Sequence, residues 1–170
     1  AKTPDAKTNL GNQFFNKTTK RRYRALVWGN VEQDEGTVVG NIGRNPRDRM
    51  QMTVLPDDQG KHAVTHYRVL QRFQGYTYIE CVLETGRTHQ IRVHMASIGH
   101  PLIGDYKYGQ KSVNDTFNRQ YKVKDQMLHS YELDIPDMDI HIYAAIPDSF
   151  KNVMKGEQLC RPGIQENLEA

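Results

Sequence analysis

One stretch, residues 75–105, constrains the fold more than any other part of the chain. Residues 75–83 (GYTYIECVL) are rich in β-branched and aromatic side chains and predict a buried strand. Gly86 predicts a tight turn, and Thr88 is the expected N-cap of a helix that stops near Gly99. The apolar side chains of this helix recur at i, i+4 and i+7, namely Ile91, Met95 and Ile98. The stretch therefore predicts a strand, a turn and a helix with one buried face.

The polar residues of this helix predict an anion site. Residues 87–90 (RTHQ) lie at its start, where free N–H groups and the helix dipole favour an anion, and the Arg87 guanidinium suits a phosphate. Arg92 lies beside the buried face, where a charge needs a carboxylate partner. Two simpler interpretations stay open at this point. Gly-Arg-Thr at a helix start is often only a cap, and an arginine beside an apolar stripe often extends to water.

The remaining pattern predicts many strands and few helices. Strands are predicted at 22–28, 37–39, 50–55, 63–73, 128–133 and 140–144, helices at 3–17 and 148–155, and loops at 41–49 and 106–126, the second with room for a short helix. The connection at Gln74-Gly75 is typical of a hairpin. The fold class expected is α+β, with a mixed, mainly antiparallel central sheet flanked by helices. Residues 1–155 are predicted to form one domain and residues 156–170 a C-terminal tail.

Composition narrows the function classes. With 37% hydrophobic and 25% charged residues and no apolar run of membrane-spanning length, a soluble domain without a membrane partner is expected. The two cysteines have no metal-binding spacing and predict reduced thiols in the cytoplasm. His89 and His94 are five residues apart, which does not place two ligands on one helical face, so no metal is expected. No glycine-rich phosphate-binding motif occurs, so no nucleotide cofactor is expected.

Charge is distributed unevenly along the chain. Residues 1–130 carry 20 basic and 12 acidic side chains, a balance of +8, whereas residues 131–170 carry 3 and 8, a balance of −5. A basic region of this kind suits a nucleic-acid partner, although an uneven solvated surface would look the same.

Three ordered segments resemble one family. Residues 83–105 contain E-T-G-R-T-H-Q-I-R-V-H and G-H-P-L-I-G-D, residues 20–29 read K-R-R-Y-R-A-L-V-W-G, and residues 127–133 read M-L-H-S-Y-E-L. Residues 42–44 and 63–70 agree as well. Together they closely resemble the RluA-type RNA pseudouridine synthases. The resemblance implies a uridine-to-pseudouridine isomerase, in which the C1′–N1 bond of a uridine breaks and the base rejoins through C5.

The resemblance also implies roles for individual residues. It places Tyr23 on the tyrosine that stacks on the target uracil, Arg92 on the arginine that pairs with the nucleophilic aspartate, and Leu128 on an apolar wall of the base pocket. Without it, Tyr23 would be taken as a core tyrosine. The expected RNA-binding residues are Arg21, Arg22, Arg44, Arg87, His89 and Gln90. The expected partner is structured RNA, ribosomal or transfer, bound by a monomer that needs neither cofactor nor metal.

One departure from the family is large. Its nucleophile lies in an H-R-L-D-x-x-T-S-G segment, which the 170 residues do not contain. The chain is therefore expected to be a fragment that begins just after that segment and is inactive by itself. In that case Arg92 should lie in an open cleft, facing solvent or an anion, near Tyr23 and Leu128. The alternative is a non-catalytic RNA-binding module or a degenerate relative.

Overall fold

The structure is a computed structural model that describes residues 20–159. This part of the chain forms eight β-strands and three α-helices. The strands are β1 (Lys20–Trp28), β2 (Glu35–Val39), β3 (Asn41–Asn45), β4 (Asp48–Leu55), β5 (Val64–Arg72), β6 (Tyr76–Leu83), β7 (Leu128–Ile135) and β8 (Ile140–Tyr143). The helices are α1 (Gln90–Ser97), α2 (Lys111–Tyr121) and α3 (Asp148–Leu159). The helix predicted at 3–17 lies outside the described residues.

Six strands form one sheet in the order β2-β5-β6-β1-β7-β8, and every pairing between its described strands is antiparallel. The α+β class and the mainly antiparallel sheet are thus confirmed. Strand β1 is central, and Tyr23 pairs with Cys81 on one side and with Ser130 on the other. Side chains alternate along β1, so Tyr23, Ala25 and Val27 share one face while Arg24 and Leu26 share the other, as predicted.

Each face of the sheet has its own apolar core. On the first, called the near face, α1 packs through residues that are almost fully buried: Ala25, Val27, Ile79, Cys81, Ile91, Met95 and Leu102. On the opposite, far face, α2 and α3 cover a second cluster that includes Leu26, Tyr76, Phe117, Val153 and Met154. Burying a large apolar side chain contributes about 1.5–3 kcal/mol, so these two cores fix the sheet between its helices.

Strands β3 and β4 form a separate two-stranded hairpin, which corrects the loop predicted at 41–49. The hairpin packs on α1 through a small core of Ile42, Ala63 and Val93. Its first strand, with the sequence NIGRN, contains only one large apolar residue. Pairing with β4 and packing on α1 stabilise it as a strand, because such tertiary contacts outweigh the low strand propensity of its residues.

Helix α1 differs from its predicted form at both ends. It begins at Gln90, and His89 rather than Thr88 is the N-cap residue, with left-handed backbone angles (φ 54°, ψ 27°). No side-chain hydrogen bond from the described residues caps the start of this helix. The Gln90 Oε1 instead accepts the Arg87 N–H at 3.0 Å, in the turn before the helix. At the other end, Ile98 follows the last helical residue and is 39% exposed, so it does not extend the buried face.

The remaining elements extend the predicted ones. Residues 111–121 of the second predicted loop form α2, a mostly polar helix that buries Asn114 and Phe117. Helix α3 continues to Leu159, past the predicted domain boundary at residue 155, which stays a prediction. Within residues 20–159, no helix combines the length and apolar character needed to cross a membrane.

Candidate active site

A cavity of about 360 Å³ opens on the near face, between the start of α1 and the strands β1 and β7. We call it the Tyr23 pocket. Its lining comprises Arg21, Tyr23, Leu83, Gly86, Arg87, His89, Gln90, Ile91, Arg92, Gln126 and Leu128. The three residues predicted to be catalytic, which lie far apart in sequence, thus border a single cavity. Their individual roles stay predictions.

The carboxylate that Arg92 requires comes from Asp105. The Arg92 Nε donates to Asp105 Oδ2 at 2.8 Å and Nη2 donates to Oδ1 at 3.0 Å, while Asp105 is fully buried. Hydrogen bonding to Asp105 raises the pKa of Arg92, so its charge is permanent. Arg92 was expected in an open cleft facing solvent or an anion, near Tyr23 and Leu128. It does line a cavity with both residues, but its side chain is only 12% exposed and its anionic partner, Asp105, belongs to the chain itself.

Asp105 does not use all the donors of Arg92. The bidentate contact occupies Nε and one hydrogen of Nη2, and within the described residues Nη1 has no hydrogen-bond partner. A guanidinium presents five N–H donors in a planar fork, so a second anion can bind along the Nη1 edge. Since Arg92 lines the Tyr23 pocket, an anion there has a charged donor available.

His89 occupies a strained position beside Arg92. Its Nδ1 lies 2.8 Å from the Tyr108 hydroxyl, and the two rings meet edge to face with centroids 5.5 Å apart. Burial, followed by the charges of Arg92 and Lys107, lowers the pKa of His89. The imidazole is consequently neutral at pH 7, and the pocket does not gain a fourth cation beside its three arginines.

Gln90 is buried, and its amide is saturated by the protein. Its Nε2 donates to the Val64 carbonyl and to Thr65 Oγ1, both at 2.9 Å. Its Oε1 accepts from Thr85 Oγ1 at 2.7 Å and from the Arg87 N–H. An amide side chain has two donors and accepts two bonds, so Gln90 has none left for RNA. The geometry makes it a structural residue at the pocket floor.

A second cavity of about 350 Å³ adjoins the first and faces the β3–β4 hairpin. This hairpin pocket is lined by Ile42, Gly43, Arg44, Met52, Gly60, Lys61, Gly86, Arg87 and Thr88. Gly86 and Arg87 border both cavities, so the two form one basic surface. Arg87 Nε donates to the His62 carbonyl at 2.8 Å, and Arg44 Nη1 donates to the Arg49 carbonyl at 2.9 Å, which orients both guanidinium groups.

Arg22 is the one predicted RNA-binding residue that the structure separates from the others. It projects from the far face, where its guanidinium lies 3.1 Å from Glu132 and 3.6 Å from Glu80. Arg21, its neighbour in β1, lines the Tyr23 pocket instead. The alternation of side chains along a strand accounts for this difference.

Two residues of the site were not assigned a role from the sequence. Asp105 belongs to the G-H-P-L-I-G-D motif, but the partner expected for Arg92 was an aspartate outside the chain. Tyr108 falls in a polar stretch with no helical or strand pattern, and only the folded chain shows it beside His89. In the described part of the chain, no three His, Cys, Asp or Glu side chains converge on a point that could hold a metal ion. The absence of a metal or cofactor stays a prediction.

Comparison with known proteins gives consistent matches. Residues 1–97 match the family described as RNA pseudouridylate synthase. An uncharacterized RNA pseudouridine synthase, YlyB of Bacillus subtilis (strain 168), is 55% identical over 120 residues, covering 71% of this chain and 39% of that protein. Ribosomal large subunit pseudouridine synthase D of Neisseria meningitidis serogroup A (strain DSM 15465 / Z2491) is 42% identical over 176 residues, covering 99% of this chain and 46% of that protein.

The fold also matches a solved structure. Human RNA Pseudouridylate Synthase Domain Containing 1 superposes with a TM-score of 0.71 and 28% sequence identity, covering 88% of this chain and 63% of that one. The chain spans less than half the length of the two curated relatives described above.

Proposed function

Because the chain belongs to the RNA pseudouridylate synthase family, we propose that it forms the greater part of a catalytic domain that isomerises uridine in RNA to pseudouridine. The C1′–N1 bond of the target nucleotide breaks, the base turns, and C5 bonds to C1′ in place of N1. The C5 proton leaves and N1 gains one, so the change is an isomerisation. A cofactor is not part of this scheme.

One observation supports this proposal most strongly. Tyr23 from β1, Arg92 from α1 and Leu128 from β7 line the same cavity, although no local pattern in the sequence links them. A base removed from its stack needs a flat ring on one side and an apolar wall on another, which Tyr23 and Leu128 supply. Arg92 supplies the positive charge that keeps a neighbouring carboxylate ionised.

The nucleophile in this scheme is an aspartate of the H-R-L-D segment, which the 170 residues do not contain. We place its carboxylate against the Nη1 edge of Arg92, opposite the edge that Asp105 occupies. Asp105 then holds the guanidinium, and the nucleophile receives its free donors. An ionised carboxylate is required because only that form attacks carbon.

We further propose that RNA phosphates bind the basic surface shared by the Tyr23 pocket and the hairpin pocket. Besides Arg92, its cations are Arg21, Arg44, Lys61 and Arg87. The partner is structured RNA, either ribosomal or transfer RNA. Because the relative from Neisseria meningitidis is named for the large ribosomal subunit, ribosomal RNA is the first substrate to test. A cytoplasmic monomer without a membrane partner completes the proposal.

Tritium release from RNA labelled at C5 of uridine tests the proposed reaction. Two proteins are compared: the 170-residue chain, and the same chain preceded by the H-R-L-D segment in the order found in the family. We expect turnover from the second protein and none from the first. In the active protein, Arg92→Met should reduce turnover by about 10²-fold or more, because a charge that stabilises the reacting carboxylate is removed.

Arg68→Met is the matched control. Arg68 lies on β5, is exposed, and has its guanidinium 3.6 Å from Glu80 on the far face. Its removal should leave turnover unchanged. If the extended protein folds and binds RNA but releases no tritium, the alternative of a non-catalytic RNA-binding module is correct.

A further inference from the structure

We infer that the turn Asp105–Tyr108 is a positioning device for the Tyr23 pocket, in which Asp105 fixes Arg92 and Tyr108 fixes His89. The identity of the substrate, a uridine nucleotide of RNA, rests on the proposed function, whereas the positioning geometry is independent of it. Neither residue lines the pocket itself, so both act through a side chain that does.

Asp105 is an anion that cannot move away from Arg92. Besides the two bonds from Arg92, its Oδ1 accepts the backbone N–H groups of Lys107 at 3.0 Å and Tyr108 at 3.1 Å. Its own carbonyl accepts from Asn114 Nδ2 at 2.8 Å, which ties the turn to α2. The carboxylate is therefore fixed by the backbone that follows it. A planar bidentate contact with such an anion permits the guanidinium one orientation.

Tyr108 contacts both side chains that the turn positions. Its ring lies beneath the Arg92 guanidinium, with the central carbon 5.0 Å from the ring centroid. Its hydroxyl accepts the backbone N–H of Met52 at 3.0 Å and lies 2.8 Å from His89 Nδ1. One residue thus connects the β3–β4 hairpin, α1 and the pocket.

The hydrogen bonds of the Tyr108 hydroxyl favour one tautomer of His89. Met52 already donates to the Tyr108 oxygen, so the hydroxyl hydrogen needs an acceptor. Among the described residues, His89 Nδ1 is the acceptor within reach. If Nδ1 carried a proton instead, the hydroxyl hydrogen would have no acceptor among the described residues and would have to turn to solvent. We therefore assign Nδ1 as the acceptor and place the ring proton on Nε2.

The consequence is a neutral donor at a defined place in the pocket. His89 Nε2–H has no partner among residues 20–159, and His89 lines the cavity. We assign it a hydrogen bond to an acceptor oxygen of the bound nucleotide. Its left-handed backbone is consistent with this role, because strained conformations of non-glycine residues occur most often at functional sites.

Two near-isosteric variants separate positioning from a structural role. In Asp105→Asn, the amide oxygen still accepts the N–H groups of Lys107 and Tyr108, but the amide nitrogen replaces Oδ2 and cannot accept from Arg92 Nε. In Tyr108→Phe, the ring remains under Arg92 and only the hydroxyl is lost. Both should keep the turn folded.

The first measurement is ¹⁵N NMR of the 170-residue chain labelled at arginine and histidine. Asp105→Asn should shift the Arg92 Nε–H resonance and increase its exchange with water by about tenfold or more, since a charge-assisted hydrogen bond is lost. Tyr108→Phe should convert His89 from the single Nε2–H tautomer to a mixture. An unchanged Arg92 signal in the first variant or an unchanged His89 tautomer in the second would overturn the inference.

The second measurement is kinetic and uses the protein that also carries the nucleophile segment. Tyr108→Phe should lower kcat about 3–10-fold, the worth of one hydrogen bond, with little change in KM for RNA. In a His89→Ala background the same substitution should have no further effect, because Tyr108 acts through His89. Equal losses in both backgrounds would contradict the inference. A parent protein without turnover would refute the proposed function instead, and the NMR result would still decide the positioning.

Discussion

Gln90→Met should destabilise the fold while leaving intrinsic RNA affinity almost unchanged. Methionine has nearly the same shape as glutamine, so the substitution leaves little cavity, but it removes all four hydrogen bonds of the buried amide. Each bond contributes about 1 kcal/mol net, and the Thr65 and Thr85 hydroxyls can turn to other partners. We therefore expect a loss of about 2–4 kcal/mol in the free energy of unfolding.

Urea denaturation followed by the fluorescence of Trp28, the only tryptophan of the chain, measures this loss. RNA binding is measured separately by fluorescence anisotropy, well below the urea midpoint of the variant. A loss of less than about 1 kcal/mol together with a large drop in RNA affinity would refute the reasoning. It would show that Gln90 contacts RNA, as expected from the sequence, and not only the protein.

Gln90→Glu tests the direction in which stability changes with pH. The new carboxylate would face two acceptors, the Val64 carbonyl and Thr65 Oγ1, which together with burial raise its pKa above the unfolded value. Stability relative to wild type is then highest at pH values below the unfolded pKa and declines as pH rises, by at most about 1.4 kcal/mol per pH unit. A difference from wild type that stays constant between acidic and neutral pH would contradict this.

The structure supports four further predictions. Gly86→Ala places its Cβ 2.7 Å from the Arg21 guanidinium, which can move, so RNA affinity should fall with a stability loss of less than about 1 kcal/mol. In Gly104→Ala the alanine would have to adopt φ +82°, and its Cβ would meet a backbone carbonyl on the loop before β7. Thermal unfolding should therefore show a much larger loss of stability than for Gly86→Ala. Burial lowers the pKa of His94, so the unfolded state binds more protons and the free energy of unfolding should fall as pH drops below about 6.5; a phenylalanine variant should show a shallower slope. Burial raises the pKa of Cys81 to about 12, so its thiol should react with iodoacetamide only after unfolding, as peptide mass spectrometry would show.

The elements with a strong local pattern were predictable from the sequence. Strand β6 ends as predicted and begins one residue later, since most of its side chains are buried on both faces and a hairpin turn precedes it. The α+β class followed from the number of such strands. By contrast, β3 has a polar sequence and depends on contacts with β4 and α1, which no local window contains.

The sequence predicted that certain distant residues share a cavity, but it did not predict the contacts between them. Resemblance to a family placed Tyr23, Arg92 and Leu128 correctly in one cavity, because motif positions carry over between relatives. The need of Arg92 for a carboxylate followed from the cost of burying a charge. The identity of that carboxylate did not follow, because the turn at Asp105 returns to α1 only in the folded chain.

Photocrosslinking with RNA that carries 5-iodouridine at the target position tests the central claim, that the Tyr23 pocket holds the target base. The iodinated base reacts with an aromatic ring in contact with it, and mass spectrometry identifies the modified residue in the 170-residue chain. We predict modification of Tyr23. Tyr131, whose ring lies 4.2 Å from the Arg24 guanidinium on the far face, serves as the internal control. Modification of Tyr131 without modification of Tyr23 would contradict the account.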